Sequence, residues 1–270
     1  MVKFENHPAT RYFAVTREPS TSGEFRKAME NYGWSVIFLK SIVISPKSYL
    51  ELKRMALRII QDNYDACVFL SGNAVDILMT TAESTGSIPA LITKLRSIKT
   101  ICIGPRTKEK LSRYGIDSVM VPETYNTHGL IECLSVYKDQ VHRIVVPRSQ
   151  IGDSEILQSL SRLGISVDEY QLYNTLVNRT IDKEWKWFFY LLGKRKVDAF
   201  GFTSPSSVRA VFQIVEKEAS RDDVTYLSHL NGLVSIGRKT TIELKKYASG
   251  RIIEAVEHTL NGLVEASRLL

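Results

Sequence analysis

The sequence predicts an α/β protein with two doubly wound parallel sheets. The first reason is an internal repeat: Asp65–Ser71 (Asp-Ala-Cys-Val-Phe-Leu-Ser) matches Asp198–Ser204 (Asp-Ala-Phe-Gly-Phe-Thr-Ser), 133 residues later. The pairs Ile103-Gly104 and Ile236-Gly237 are separated by the same 133 residues. The second reason is that strand-like and helix-like segments alternate along each copy. A period this long indicates two whole domains of one fold, because solenoid repeats are much shorter.

The predicted elements follow the same order in both copies. They are a first strand (Tyr12–Arg17 and Arg143–Arg148), a helix that stops at a glycine (Gly33 and Gly164), a second strand (Val36–Ile44 and Val167–Val177), a third (Ala66–Leu70 and Ala199–Thr203), a fourth (Thr100–Ile103 and Leu233–Ile236) and a fifth (Val119–Val121 and Ile252–Val256). Strands that alternate with helices favour a parallel sheet covered on both faces. A flavodoxin-like arrangement is the natural expectation.

The composition restricts the partners. The 270 residues carry 36 basic and 29 acidic side chains, a net charge of +7. Such a surface suits nucleic acid, an anionic membrane or an acidic small molecule, but the basic residues are scattered, which argues against nucleic acid. Met1 to Arg11 lacks the apolar core of a signal peptide, and the longest apolar cluster, Trp187 to Leu192, is too short to span a membrane. With three cysteines in no disulfide framework, we expect a cytoplasmic protein without a membrane or nucleic-acid partner.

Candidate binding residues follow the predicted strands, where ligands bind in such sheets. Ser71-Gly72-Asn73 and Ser204-Pro205-Ser206 each follow a strand and open a helix. Two interpretations stay open. The serines are helix caps only, or the free N–H groups of these helix starts also bind carboxylates.

Further candidates occupy equivalent places in the two copies. Gly104 and Gly237 allow close approach of a ligand to the backbone, and Thr107 and Thr240 could cap the helices that follow. Arg17 and Arg148 end the first strands, where a guanidinium can take a carboxylate bidentately. Together with the residues at the two serine motifs, the candidate binding residues are Arg17, Ser71, Asn73, Thr107, Arg148, Ser204, Ser206, Gly237 and Thr240.

The usual catalytic motifs are absent from the sequence. It contains no nucleotide-binding glycine pattern, no C-x-x-C and no G-x-S-x-G. The five histidines show no metal-ligand spacing. We therefore expect neither a metal nor another cofactor.

Taken in order, the motifs resemble the uroporphyrinogen-III synthase family over nearly the whole chain. The segments that carry the resemblance are Val15-Thr16-Arg17, Phe69–Val75, Ile103-Gly104-Pro105 with Thr107, Val121-Pro122-Glu123, Val146-Pro147-Arg148, Leu172–Thr175, Phe202–Ser206, Ile236-Gly237 with Thr240, and His258-Thr259 with Gly262-Leu263. The chain departs from the family at Arg238-Lys239, where the pattern is Pro-Thr, and the stretch from Asn178 to Lys196 matches no motif.

The resemblance implies two flavodoxin-like domains joined by a two-stranded connector, with the active site in the cleft between them. It also implies that the chain crosses between the domains twice. One domain would comprise residues 1–39 and 174–270, and the other residues 40–173. The connector strands would lie near Lys40–Ile44 and Glu169–Tyr173. The repeat by itself does not decide this exchange.

The resemblance further implies a reaction. The substrate would be hydroxymethylbilane, a linear tetrapyrrole with eight carboxylates, which closes to uroporphyrinogen III with inversion of the last ring and loss of water. Tyr173 lies at the family's tyrosine position, so we expect it to protonate or orient the leaving hydroxyl; strand packing is the alternative. The candidate binding residues would hold the carboxylates of the substrate. We expect a monomer.

One alternative comes from another class of protein. Two α/β domains without a catalytic motif also suit a non-enzymatic binder of an anionic small molecule. Such a binder would not need a tyrosine at position 173.

Overall fold

The computed structural model describes residues 11–18, 23–125, 127–151 and 155–270. The first ten residues, which bear on the signal-peptide prediction, lie outside this part of the chain. The elements, in chain order, are β1 (Arg11–Val15), α1 (Gly23–Glu30), β2 (Trp34–Phe38), β3 (Ile42–Pro46), α2 (Tyr49–Gln61), β4 (Ala66–Phe69), α3 (Gly72–Ser84), α4 (Ile88–Ser97), β5 (Lys99–Cys102), α5 (Pro105–Ser112), β6 (Val119–Met120), α6 (Thr127–Ser135), β7 (Arg143–Ser149), α7 (Glu155–Arg162), β8 (Ser166–Val177), α8 (Lys183–Gly193), β9 (Val197–Phe202), α9 (Pro205–Glu218), α10 (Arg221–Ser228), β10 (Leu233–Ser235), α11 (Arg238–Leu244), β11 (Ile252–Glu254) and α12 (Leu260–Ser267).

The chain divides into two compact units. Unit 1 comprises Met1–Val43 and Leu176–Leu270, and unit 2 comprises Ile44–Thr175. These divisions fall inside β3 and β8, a few residues beyond those that the family resemblance implies. β3 and β8 are neighbours in one sheet, and each runs across one of the two places where the chain passes between units.

Both sheets have the strand order of a flavodoxin-like fold. The sheet of unit 1 has the order β11-β10-β9-β1-β2, and the other has the order β3-β8-β7-β4-β5-β6. If the five repeated strands are numbered by their place in the copy, β2-β1-β9-β10-β11 and β8-β7-β4-β5-β6 both have the order 2-1-3-4-5. The pairs among these repeated strands are parallel. Of these five repeated strands, each sheet therefore takes two from one copy and three from the other, and β3 is a sixth strand at the edge of the second sheet. The predicted fold class is confirmed.

Alternation along the strands gives each sheet two covered faces. In β1, Phe13 and Val15 belong to one apolar cluster and Ala14 to another. In β4, Cys67 and Phe69 point into one cluster of unit 2, whereas Val68 points into the other. These strands are buried on both sides, as expected for parallel sheets packed between helices.

The predicted strand Val36–Ile44 is wrong as a single element. The structure has two strands there, β2 and β3, which pair in different sheets. Residues 39–41 make the transition: the Leu39 N–H still donates to Val15 O at 2.8 Å, whereas Ser41 O accepts from the Asn178 N–H at 2.8 Å. The polar pair Lys40 and Ser41 interrupts the apolar run at this transition, so the sequence did carry a boundary signal, which the prediction of one strand overlooked.

The stretch from Asn178 to Lys196, to which the sequence analysis assigned no role, contains α8. Asp182 caps this helix by accepting from the N–H groups of Glu184 and Trp185, each at 3.0 Å. Trp185, Phe188 and Leu192 are buried on one face, the i, i+3, i+7 spacing of an amphipathic helix. This signal was present in the sequence and was overlooked.

The repeated aspartates at the start of β4 and β9 join neighbouring strands. Asp65 Oδ2 accepts from the N–H groups of His142 and Arg143, each at 2.8 Å. Asp198 Oδ2 accepts from the Tyr12 N–H at 2.7 Å in the other sheet. The hydrogen bonds from Arg143 and His142 hold the pKa of the Asp65 carboxyl below its usual range.

The variant Asp65→Asn is expected to lower the free energy of unfolding at pH 7 by about 1 kcal/mol, since solvent weakens these charge-assisted bonds. Because the folded pKa is depressed, the carboxylate stabilises the fold above its unfolded pKa of about 3.9 and loses this effect as the pH falls. Urea titrations from pH 7 to pH 3 should show the two proteins converging in acid. A difference that does not change with pH would contradict this explanation.

Candidate active site

Ser71 stands at the carboxyl end of β4 and caps α3. Its backbone is extended, and its Oγ accepts from the Ala74 N–H at 3.3 Å. This is the ordinary geometry of a serine N-cap, so the capping part of the prediction is confirmed. Asn73, two residues on, is half-buried in the first turn of the same helix.

Tyr173 of β8 reaches the Ser71 cap. Its Oη lies 2.8 Å from Ser71 Oγ, and either oxygen can donate. The ring belongs to the apolar core of unit 2, and only 4% of the residue is exposed. When Ser71 donates, the phenolic proton remains free for another acceptor. The structure thus places a second hydroxyl beside the predicted proton donor.

Ser71→Ala is expected to lower the free energy of unfolding by about 1 kcal/mol, as for the loss of any good cap. It is also expected to reduce kcat for the ring closure of hydroxymethylbilane that the family resemblance implies. The matched control is Ser48→Ala, since Ser48 caps α2 of the same unit and forms a capping box with Glu51. Urea denaturation should show similar losses of stability for both variants. Steady-state kinetics should show reduced turnover for Ser71→Ala alone, and equal turnover in the two variants would contradict a functional Ser71.

Unit 1 has a hydroxyl network at the equivalent place. Ser204 caps α9 in a capping box with Ser207, whose Oγ donates to Ser204 O at 2.7 Å. Thr16 Oγ1 donates to Ser207 Oγ at 3.0 Å and lies 3.1 Å from Thr203 Oγ1. Ser206 is half-buried in the first turn. Thr16, Thr203 and Ser207 are polar members of this region that were not among the predicted site residues.

The three hydroxyls have no counterparts in unit 2. At the corresponding positions of the repeat, the sequence has Pro147, Leu70 and Ala74. The extra hydroxyls of unit 1 could have been recognised in sequence from this contrast between the copies.

Thr107 and Thr240 do not cap their helices, contrary to the prediction. The caps of α5 and α11 are Gly104 and Gly237, and the threonines lie three residues further on. Both threonines are buried. Their N–H groups close the first turns by donating to Gly104 O at 3.0 Å and to Gly237 O at 2.9 Å.

The space beside the two cap glycines is filled by aromatic rings. A Cβ on Gly237 would lie 2.7 Å from Cδ2 of His258, and one on Gly104 would lie 3.6 Å from Cγ of Tyr125. The glycines were expected to allow close approach of a ligand, but the structure shows that Gly237 makes room for the ring of its own unit.

The two arginines at the strand ends differ. Arg17, just after β1, is half-buried. Arg148 is buried, and its Nε lies 3.5 Å from Glu169 Oε1 and donates to Ser149 O at 3.2 Å. The Arg148 guanidinium therefore already pairs with a carboxylate of the protein, that of Glu169.

The helix that follows each serine cap is tied by an ion pair to the second helix after it in the chain, and the two pairs have opposite polarity. In unit 2, Asp76 of α3 pairs with Lys110 of α5. In unit 1, Arg209 of α9 pairs with Glu243 of α11 at 3.3 Å. The Lys110 side chain also lies against Gly72. These pairs were not predicted, although the repeat offset of 133 residues relates Asp76 to Arg209 and Lys110 to Glu243.

The remaining reactive side chains are dispersed. Cys67 and Cys102 are buried, whereas Cys133 is only half-buried. Burial raises the pKa of the Cys102 thiol to about 11. Among the described residues, no three His, Cys, Asp or Glu side chains come together as a metal site requires, and no helix there is long and apolar enough to cross a membrane.

Comparison with known proteins adds the family. The model of the family described as Uroporphyrinogen-III synthase HemD matches residues 23–265. This chain belongs to the uroporphyrinogen-III synthase family. The prediction that it is a lyase of tetrapyrrole biosynthesis is thereby confirmed.

Relatives and solved structures agree with this membership. The uroporphyrinogen-III synthase of Synechococcus elongatus is 26% identical over 262 residues, which cover 93% of this chain and 92% of that protein. A mutant uroporphyrinogen III synthase from Thermus thermophilus shares the fold with a TM-score of 0.63 at 16% identity, covering 95% of this chain and 96% of that one. The uroporphyrinogen-III synthetase from Helicobacter pylori gives a TM-score of 0.57 at 14% identity, covering 95% and 97%.

Proposed function

We propose that this member of the family converts hydroxymethylbilane to uroporphyrinogen III, with inversion of the last pyrrole ring and loss of water. The observation that carries the proposal is the hydroxyl pair of Tyr173 and Ser71, 2.8 Å apart, where β4 meets the start of α3. Family membership supplies the substrate class, and the pair supplies a proton donor with a second hydroxyl to orient it.

The chemistry asks little of individual side chains. Tyr173 gives a proton to the terminal hydroxyl of the substrate, which leaves as water and generates an azafulvenium cation beside the tyrosinate. The substituted carbon of the last pyrrole then bonds to the methylene carbon that carried the hydroxyl, which gives a spiro intermediate. This intermediate opens at the other bond of that carbon and closes again with the last ring inverted. The ring carbon that forms the last bond releases a proton, which restores the phenol. The fold contributes by holding a flexible chain in the reactive shape.

The predicted binding positions divide by burial. Those that are half-buried and able to meet a ligand directly are Arg17, Ser71, Asn73, Ser204 and Ser206. Those that are buried are Thr107, Arg148, Gly237 and Thr240. We propose that the first group binds substrate carboxylates and that the second holds the backbone of the helix starts and strand ends in place.

We also propose that the enzyme works as a cytoplasmic monomer that requires no cofactor, membrane or nucleic acid. Net positive charge matches a substrate with eight carboxylates. The division into units at residues 43 and 175 agrees with a two-domain enzyme of this kind. Sedimentation of the purified protein, and its activity after dialysis against a chelator, test these points.

The decisive experiment supplies freshly prepared hydroxymethylbilane to the purified protein. The products are then oxidised, and the isomers I and III are separated by chromatography. Spontaneous closure gives isomer I, so a dominant isomer III is expected if the proposal holds. Isomer I alone, from protein shown to be folded, would leave a non-enzymatic binder of an anionic small molecule as the better account.

A further inference from the structure

We infer that Arg209 of unit 1 binds a substrate carboxylate, and that Glu243 and Ser206 hold its guanidinium in position. The inference rests on the proposed function and adds a binding residue to it. Neither the repeat motifs nor the family motifs quoted above include Arg209. It lies in the second turn of α9, the helix that Ser204 caps.

Comparison of the two units singles out Arg209. The ion pair between α3 and α5 and the ion pair between α9 and α11 occupy equivalent places but have opposite polarity. On the helix that follows the serine cap, unit 2 has the carboxylate of Asp76, whereas unit 1 has the guanidinium of Arg209. A pair that served only to join the helices could have either polarity. The choice in unit 1 puts a cation beside the candidate binding residues Ser204 and Ser206.

Contacts within the protein hold the Arg209 guanidinium in place and leave several of its N–H donors available. Arg209 Nη1 lies 3.3 Å from Glu243 Oε1, and Nη2 donates to Ser206 Oγ at 3.4 Å. These contacts occupy two of the five N–H donors that a guanidinium carries. The side chain is 36% exposed, so the remaining donors can reach a ligand. A planar group fixed on one edge is well suited to bidentate capture of a carboxylate.

The charges around Arg209 leave a positive excess. Lys246 Nζ also pairs with Glu243, at 2.8 Å from Oε2, so two cations share one carboxylate. Burial would raise the pKa of Glu243, but hydrogen bonds from Lys246 and Arg209 outweigh it and bring the pKa below its usual range. The carboxylate is thus ionised at neutral pH, and the cluster carries a net charge of +1. In the ion pair of unit 2, Asp76 and Lys110 balance each other.

The test compares Arg209→Gln with Lys110→Gln, which removes the cation of the equivalent pair in unit 2. Steady-state formation of isomer III from hydroxymethylbilane gives KM and kcat for both variants and for the parent enzyme. We expect Arg209→Gln to raise KM about tenfold, with kcat within twofold, and Lys110→Gln to change neither. Added salt should raise the KM of the parent enzyme more steeply than that of Arg209→Gln, because one attraction to the anionic substrate is gone.

Arg209→Lys keeps the charge and tests the inference if the glutamine variant does not fold. A KM within about threefold of the parent, with the parent's salt dependence, supports a charge contact with the substrate. If the parent enzyme makes isomer III but Arg209→Gln and Lys110→Gln have equal KM values, the inference is wrong while the proposed function stands. A loss of salt dependence in Arg209→Lys would have the same meaning. If the parent made isomer I only, the proposed function and this inference would both fall.

Discussion

Tyr173→Phe is expected to reduce kcat for isomer III formation about a hundredfold, in the range typical for loss of a general acid. The phenylalanine ring fills the same place in the core of unit 2, where Tyr173 is only 4% exposed. The variant loses the phenolic oxygen that lies 2.8 Å from Ser71 Oγ. The structural cost is one hydrogen bond, about 1 kcal/mol in the free energy of unfolding. KM should change little, since the ring contributes no charge to binding.

The matched control is Tyr170→Phe, on the same strand. Tyr170 Oη lies 3.0 Å from the Oη of Tyr64, a buried tyrosine that donates to Asp168 at 2.7 Å. This variant also loses one phenolic hydrogen bond, so its stability should fall by a similar amount while kcat stays at the parent value. Equal kcat values for the two variants would assign Tyr173 to packing, which is the alternative that the sequence left open.

A double-mutant cycle separates the roles of Tyr173 and Ser71. If Ser71 acts by orienting the phenol, the effects on kcat of Ser71→Ala and Tyr173→Phe should not add, because once the phenol is absent Ser71 has nothing to orient. Additive effects would indicate that Ser71 contacts the substrate independently. Both outcomes are read from single-turnover rates of the four proteins.

Trp185→Ala is expected to lower the free energy of unfolding by about 3–5 kcal/mol, the largest change predicted for stability. Trp185 is fully buried in the core of unit 1, in edge-to-face contact with Phe188 at 5.7 Å between ring centroids. Its Nε1 donates to Lys40 O at 3.4 Å. Alanine removes this hydrogen bond and leaves a cavity, and the surrounding core closes only partly around the cavity.

Trp187→Ala is the control for this substitution. Trp187 lies on the same helix but is half-buried, stacked on Tyr190 with 5.3 Å between ring centroids. Loss of this stacking should cost about 1 kcal/mol. Urea denaturation of both variants, followed by circular dichroism, measures the difference. Equal losses would mean that α8 is not the core helix that the structure shows.

Local sequence patterns were sufficient for the fold class and for several site residues. The repeat and the alternation of elements predicted two doubly wound sheets, which the strand orders confirm. Ser71 and Ser204 were predicted as caps and are caps. Gly33 and Gly164 were predicted to end helices, and both have positive φ, 79° and 77°. Helix caps and helix stops depend on residues within a few positions of each other, so a short stretch of sequence is enough to predict them.

Tertiary structure decided which partners these elements take. The two copies carry the same pattern, so strand pairing within a copy and exchange between copies satisfy it equally, and only the folded chain combines β1 and β2 with β9, β10 and β11. Long-range pairing likewise puts β2 and β3, which lie on either side of Lys40 and Ser41, in different sheets. It brings Tyr173 to Ser71 across 102 residues and Arg209 to Glu243 from a separate helix. Contacts between distant segments depend on the packing of the whole unit, which no local period or cap encodes.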